Sequence, residues 1–226
     1  MKDEGGCMQA EPVVYQGQFG EFTINDADRR GVIVYRGGLM VAALCFAIGA
    51  GLVLWQGANP AILPWLTPLY TLFCVSLGVS LLTIHIYMEP LHRALQVFWA
   101  IGCVASLAIA HFNPEPFALT VYRYPLSLLG VGFTFVALTG IFFKEAFCFD
   151  RVETKLLTPL VPVLLLGHLA RLLPSSLERV LLLFWVILFL VFALRKVTQP
   201  IPPDIGDKSV FDYLKQQRLT RTDVSR

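Results

Sequence analysis

From about residue 39 onward the chain alternates long uncharged apolar runs with short polar connections, a pattern that predicts membrane-crossing helices at about 39–56, 66–87, 94–111, 125–143, 156–173 and 177–194. Each run is close to the ~20 residues a helix needs to cross hydrocarbon. The last two are the weakest: Pro159 and Pro162 interrupt one, and Arg179 leaves the other short, so the pair reads as two crossings or as a re-entrant hairpin.

Before residue 37 the pattern changes. Val13, Tyr15, Phe19, Phe22 and Ile24 are separated by Gln, Gly and Glu, which predicts a strand pair turning at Gly17–Gly20 or an arm lying on the membrane face. Asn25 or Asp26 is placed to cap a helix starting near Ala27. After Lys196, the run Gln-Pro-Ile-Pro-Pro-Asp cannot continue a helix. From Asp207 an amphipathic surface helix sets Val210, Phe211 and Leu214 against Lys208, Lys215 and Arg218. The expected fold is all-α: an arm at 1–37, a polytopic bundle at 38–196, and a Pro-rich linker with a basic C-terminal helix at 197–226.

Small residues recur every four positions at Ala43, Ala47 and Gly51, at Cys74 and Gly78, and at Gly102, Ser106 and Ala110, which predicts close packing among the first three spans. The sixth, rich in Leu, Phe and Trp with no Gly or Ser over Val180–Leu194, is expected at the periphery, facing lipid or a partner. Trp55, Trp65 and Tyr70 are expected at a membrane boundary.

Composition strengthens the membrane reading. Hydrophobic residues make up 56% and charged residues 15%, against roughly 45–50% and 25% in soluble domains. A net charge of +2 leaves no nucleic-acid footprint. If the N-terminus is cytoplasmic, fifteen of the 18 Lys and Arg fall in cytoplasmic segments, which predicts both termini on that side, the stromal side in a thylakoid. The polar first thirty residues lack a signal-peptide pattern, so the first span is expected to direct insertion. Cys7, Cys45, Cys74, Cys103 and Cys148 form no Cys-x-x-Cys pair and read as small core residues.

Candidate chemistry gathers at Gly140–Lys155, where an apolar run meets water and packs Lys144, Glu145, Cys148, Asp150 and Arg151 together. His85, Glu89 and His92, spaced by four and three, would share one helical face, and with Glu145 and Cys148 they compose a candidate metal set. Di-iron sites need a second Glu-x-x-His, which is missing, and the competing reading pairs Glu89 with Arg93 or Lys144. His111 and His168 form a candidate axial pair for haem or a pigment, against hydrogen bonding between helices. Cys148 beside Lys144 is a candidate thiolate or an inert boundary thiol. Motifs for nucleophilic catalysis and the histidine boxes of membrane di-iron enzymes are absent from the sequence, and no enzyme activity or particular cofactor is expected.

Three stretches carry a resemblance: Val14-Tyr15-Gln16-Gly17-Gln18-Phe19-Gly20-Glu21-Phe22 running into Gly31-Val32-Ile33-Val34-Tyr35-Arg36-Gly37-Gly38-Leu39, the turn Glu89-Pro90-Leu91-His92-Arg93, and Phe143-Lys144-Glu145-Ala146-Phe147-Cys148-Phe149. Together they resemble an uncharacterised family of integral membrane proteins of cyanobacteria and plastids. The resemblance implies residence in a thylakoid, or in a cyanobacterial plasma membrane, and no reaction. The resulting expectation is an accessory or scaffold protein. Its partners would be the lipid bilayer and subunits of a photosynthetic complex or its assembly factors, engaged through a cytoplasmic face that includes Arg93, Lys144, Asp150 and Arg151. The alternatives are a haem-, pigment- or metal-binding redox protein and, more distantly, a small-solute transporter, for which matching broken helices in the two halves are missing.

Overall fold

Apolar runs of this length have one economical way to bury their backbone polar groups in lipid, the α-helix. A computed structural model of the chain describes residues 13–224, with side chains through residue 217; Cys7, the start of the arm and the side chain of Arg218 lie outside the described residues. Among these, six helices are long and apolar enough to cross a membrane: α1 (Asp26–Gln56), α2 (Leu63–Thr83), α3 (Glu89–Phe112), α5 (Leu128–Phe149, extended by a 3-10 turn at Pro125–Ser127), α6 (Val152–Leu169) and α7 (Ser175–Thr198). The short α4 (Phe117–Arg123) links α3 to α5, and α8 (Pro202–Ile205) and α9 (Lys208–Val224) follow α7. The chain is an all-α polytopic bundle. It divides into two compact units, residues 33–199 and residues 1–32 with 200–226.

Helix ends are set by local chemistry. Asn25 accepts from the Asp28 N–H and Asp28 from the Asn25 N–H, both at 2.9 Å, a reciprocal cap that opens α1. Proline stands in the first positions of α2 and α3, where a missing N–H costs nothing. Asp150, at φ 50°, ends α5 in the left-handed region. Arg171, at φ 56°, does the same after α6, with the Leu172 N–H reaching back to the Gly167 carbonyl at 2.9 Å. The fifth span therefore stops at Leu169 rather than 173. Pro159 and Pro162 do not break it: α6 is a continuous helix of 18 residues, about 27 Å long.

In the unit of residues 33–199 the core is centred on α5 and α7. Ala137, Leu138, Ile141 and Phe142 are sealed, and Phe142 meets Phe189 and Phe192 edge-on at 5.2 and 5.7 Å. This refines one expectation and corrects another. The sixth span turns one stripe, Trp185, Phe189, Phe192 and Ala193, to the core, while most of its surface, with Leu183, Phe184, Ile187 and Leu194, points outward as expected of a peripheral helix. The small-residue stripes also sort differently, because Gly51 and Ala110 face outward while Gly102 packs on Thr134.

The closest backbone approach is between α3 and α5. A Cβ on Gly102 would lie 2.4 Å from the Thr134 nitrogen, and one on Gly140 would lie 2.2 Å from Leu95. These two contacts run in opposite chain directions, so α3 and α5 are antiparallel. Tyr70 does not anchor at a boundary as expected of it. Its hydroxyl donates to Thr134 Oγ1 at 3.1 Å and pairs with Ser106 Oγ at 2.9 Å, tying α2, α3 and α5 together. Trp55 and Trp65 remain exposed. Outward faces carry large apolar side chains, such as Leu82, Val104 and Leu166, that lipid covers better than water.

The unit of residues 1–32 and 200–226 is built on a hairpin, β1 (Val14–Gln16) and β2 (Glu21–Thr23), antiparallel with Tyr15 opposite Phe22. Its turn is held by the start of α9. Asp207 Oδ2 accepts from the Gln18 N–H at 2.6 Å, Ser209 Oγ accepts from the Phe19 N–H at 3.0 Å, and the Phe19 and Tyr213 rings stack at 4.0 Å. The hydrogen bond from Ser209, with others from the Gln18, Ser209 and Val210 N–H groups, holds the Asp207 carboxyl below its ordinary pKa. A depressed carboxylate pKa contributes stability that is fully present above the unfolded value, ~3.9, and is lost as pH falls through the folded value. The amide protection factors of residues 14–23 are therefore expected to fall at pH values below about 4 and, in Asp207→Ala, to be low already at neutral pH. Equal protection in variant and parent at neutral pH would refute this account of the clasp.

Candidate functional site

The Gly140–Lys155 stretch is folded by two helices and one sharp corner. α5 carries Lys144 and Glu145 in its last turns, Asp150 turns the chain, and α6 opens with Glu153 near its N-terminus, where the helix dipole favours a carboxylate. Opposite them, α7 continues its buried stripe by one more turn to Lys196.

Glu145 and Lys196 are both fully buried. Lys196 Nζ donates to Glu145 Oε2 at 2.5 Å, while Lys144 Nζ and the Tyr35 hydroxyl each donate to Oε1 at 3.0 Å. One carboxylate thus receives two ammonium groups and a phenol. The Phe149 ring lies beside the same charges, with Lys196 Nζ 4.1 Å from its centroid, Lys144 Nζ at 5.4 Å and the Arg151 guanidinium at 5.8 Å.

A second layer runs through Gln199. Arg151 Nη2 donates to its side-chain oxygen at 2.6 Å, and Arg36 Nη1 to its backbone carbonyl at 2.5 Å. Glu153 stands between Arg195 at 2.7 Å and Arg151 at 3.8 Å. Chemically this is a lock: both carboxylate oxygens of Glu145 are held by donors.

The sequence-level candidates fall as follows. His85, Glu89 and His92 do not share a helical face, because α2 ends at Thr83 and residues 84–88 are not helical, so His85 sits in the connection while Glu89 opens α3. His92 Nε2–H donates to the Leu81 carbonyl at 2.6 Å, one of the carbonyls that the end of α2 leaves without a helical partner. Glu89 pairs with Arg93 at 3.5 Å. Glu145 is enclosed by its cations, and Cys148 is exposed. Among the described residues, no three His, Cys, Asp or Glu side chains come together to hold a metal ion.

His168 is engaged at both ring nitrogens, Nδ1 with Glu178 at 2.6 Å and Nε2 with the Tyr122 carbonyl at 3.1 Å, and it stacks on the Tyr122 ring. Neither nitrogen is open to an axial ligand in this arrangement. His111 is exposed at the end of α3, edge-on to Phe112. Of the four residues expected on a partner face, Arg93 and Asp150 are exposed at 73% and 87%, whereas Lys144 and Arg151 are only 10% and 12% exposed and turn inward to the lock. Sequence reading missed Lys196, Tyr35 and Gln199. The usable signal was the spacing Trp185, Phe189, Phe192, Lys196, which sets a lysine on an aromatic core face.

A family model described as uncharacterized integral membrane protein (DUF2301) matches residues 79–213, the segment that holds most of the lock. No curated protein and no solved structure matches the chain.

Proposed function

The chain belongs to this DUF2301 family of integral membrane proteins, and on that premise we propose that it is a non-catalytic accessory protein of a photosynthetic membrane that scaffolds a complex or its assembly. One observation carries the reading: at the charged end of the bundle the buried carboxylate of Glu145 is closed off by Lys196, Lys144 and Tyr35, and what this end offers outward is a surface. Exposed Phe147 and Val152 flank the Asp150–Lys155 ion pair there. Arg93 belongs to the same end, since Leu95 packs on Gly140 and α3 and α5 are antiparallel. Apolar side chains rimmed by paired charges have the composition of a protein contact. The photosynthetic setting, a thylakoid or cyanobacterial plasma membrane, is supported by the motif resemblance, and the cytoplasmic or stromal placement of this end by the distribution of Lys and Arg.

Affinity capture from native photosynthetic membranes is expected to return photosystem, pigment-protein or assembly-factor subunits. The double variant Phe147→Asp, Val152→Asp should weaken that capture about tenfold without changing the thermal stability of the purified chain. Capture that returns none of these subunits, or that is indifferent to the double variant, would refute the proposal. Protease added to sealed vesicles is expected to cut both ends of the chain or neither; trimming only one would move the proposed face to the other compartment.

A further inference from the structure

At the opposite end of the bundle from the lock lies a cavity of about 470 Å³, within the ~300–1,000 Å³ of small-molecule sites. It is independent of the scaffold reading. α7 supplies one wall with Ser175, Glu178, Arg179, Leu182 and Trp185, a stripe that is polar at the start of the helix and apolar one to two turns further in. Trp185 is about 15 Å along the helix from Ser175. Phe46, Tyr70, Phe117 and Phe135 contribute aromatic surface from α1, α2, α4 and α5. The rim acid is already engaged internally, with His168 at 2.6 Å and the Tyr122 hydroxyl at 3.3 Å on Glu178.

Trp185, in the wall of the apolar part, carries a polar atom without a partner among the described residues. Trp185 is 2% exposed, its ring lies 4.5 Å from Phe46 and 5.3 Å from Phe135, and its indole N–H has no acceptor among the described residues. Buried donors are almost always paired, and an orphan in an apolar wall is costly. We propose that this cavity binds an uncharged, lipid-soluble ligand whose carbonyl oxygen accepts from Trp185 Nε1–H while its apolar body lies among the aromatic rings. The same chemistry is offered by a ring ketone or quinone and by the ester of a neutral lipid.

Benzophenone, an apolar aryl ketone, is a direct probe. On near-ultraviolet irradiation its excited carbonyl oxygen takes a hydrogen atom from a neighbouring C–H, and the two carbon radicals couple, leaving a tertiary alcohol joined by a new C–C bond. With the full chain in phosphatidylcholine nanodiscs, adducts are expected on the peptides covering residues 117–122 and 175–185, saturating with probe concentration. Trp185→Phe, which keeps a ring and removes the donor, should raise the half-saturating concentration about three- to tenfold. Ala118→Phe, which fills the cavity and leaves Trp185 in place, should abolish saturable labelling and stands in should Trp185→Phe fail to fold. Displacement by menadione assigns the occupant to the ring carbonyl class, and displacement by dioleoylglycerol to the ester class. Displacement by neither, unsaturable labelling spread over outward positions such as Leu82 and Leu107, or a half-saturation unchanged in Trp185→Phe would overturn the proposal.

Discussion

Glu145→Ala is expected to destabilise the bundle by about 3–5 kcal/mol, the cost of removing one partner from a buried ion pair. Whole domains are stable by only ~5–15 kcal/mol, so the variant should accumulate poorly and show a sharply lowered thermal midpoint in detergent or nanodiscs. The reason is what remains behind: Lys196 is fully buried, and without Glu145 its charge faces the Gln199 oxygen at 3.5 Å and the Phe149 and Tyr35 rings. Lys144, which is 10% exposed, can move toward water; Lys196 cannot without unpacking α7. The double variant Glu145→Leu, Lys196→Met should therefore recover a large part of the loss, since an apolar pair of similar volume avoids the desolvation penalty. A thermal midpoint for Glu145→Ala within a degree or so of the parent would show that the pair does not hold α5 to α7.

The second large effect is expected at Gly102. An added methyl group would stand 2.2 Å from Thr134 Oγ1 and 2.4 Å from the Thr134 nitrogen. A hydroxyl can rotate away, but a backbone nitrogen moves only with its helix, so Gly102→Ala must separate α3 from α5. Overpacking of this kind costs typically ~1–3 kcal/mol and sometimes more, and in lipid, where packing itself supplies much of the association energy, little else compensates. The Tyr70–Thr134 hydrogen bond at 3.1 Å would be strained by the same shift. Gly51→Ala is the control, because nothing lies within 4 Å of its new carbon; it is expected to be neutral or stabilising by up to ~1 kcal/mol through helix propensity. Thermal unfolding of the two variants side by side checks the contrast, and equal midpoints would refute it.

The six long helices were legible because hydrophobicity summed over a span is a local property. The cap at Asn25 was legible for the same reason: it acts on the Asp28 N–H three residues on. What was not legible depends on partners far away in the chain. Lys196 and Glu145 are 51 residues apart, so a lysine closing an apolar run looked like an ordinary boundary charge. The small-residue stripes showed which positions permit close approach, but not which of them find a neighbour: Gly102 does and Gly51 does not. The histidine and glutamate spacing in residues 85–92 suggested a shared face only on the assumption of one unbroken helix. The chain instead leaves α2 at Thr83, and His92 serves the carbonyl that this ending releases.

The order in which the lock's members are synthesised has a consequence for biogenesis. Tyr35, Lys144 and Glu145 are translated well before Lys196, so a nascent chain that has delivered α5 to the bilayer carries a carboxylate still missing its closest counter-charge. Arrival of α7 supplies it, together with the aromatic stripe that seals the interior. A ribosome stalled before codon 196 should thus yield an intermediate that quality-control proteases recognise, and docking of the last long helix becomes the committing step of maturation.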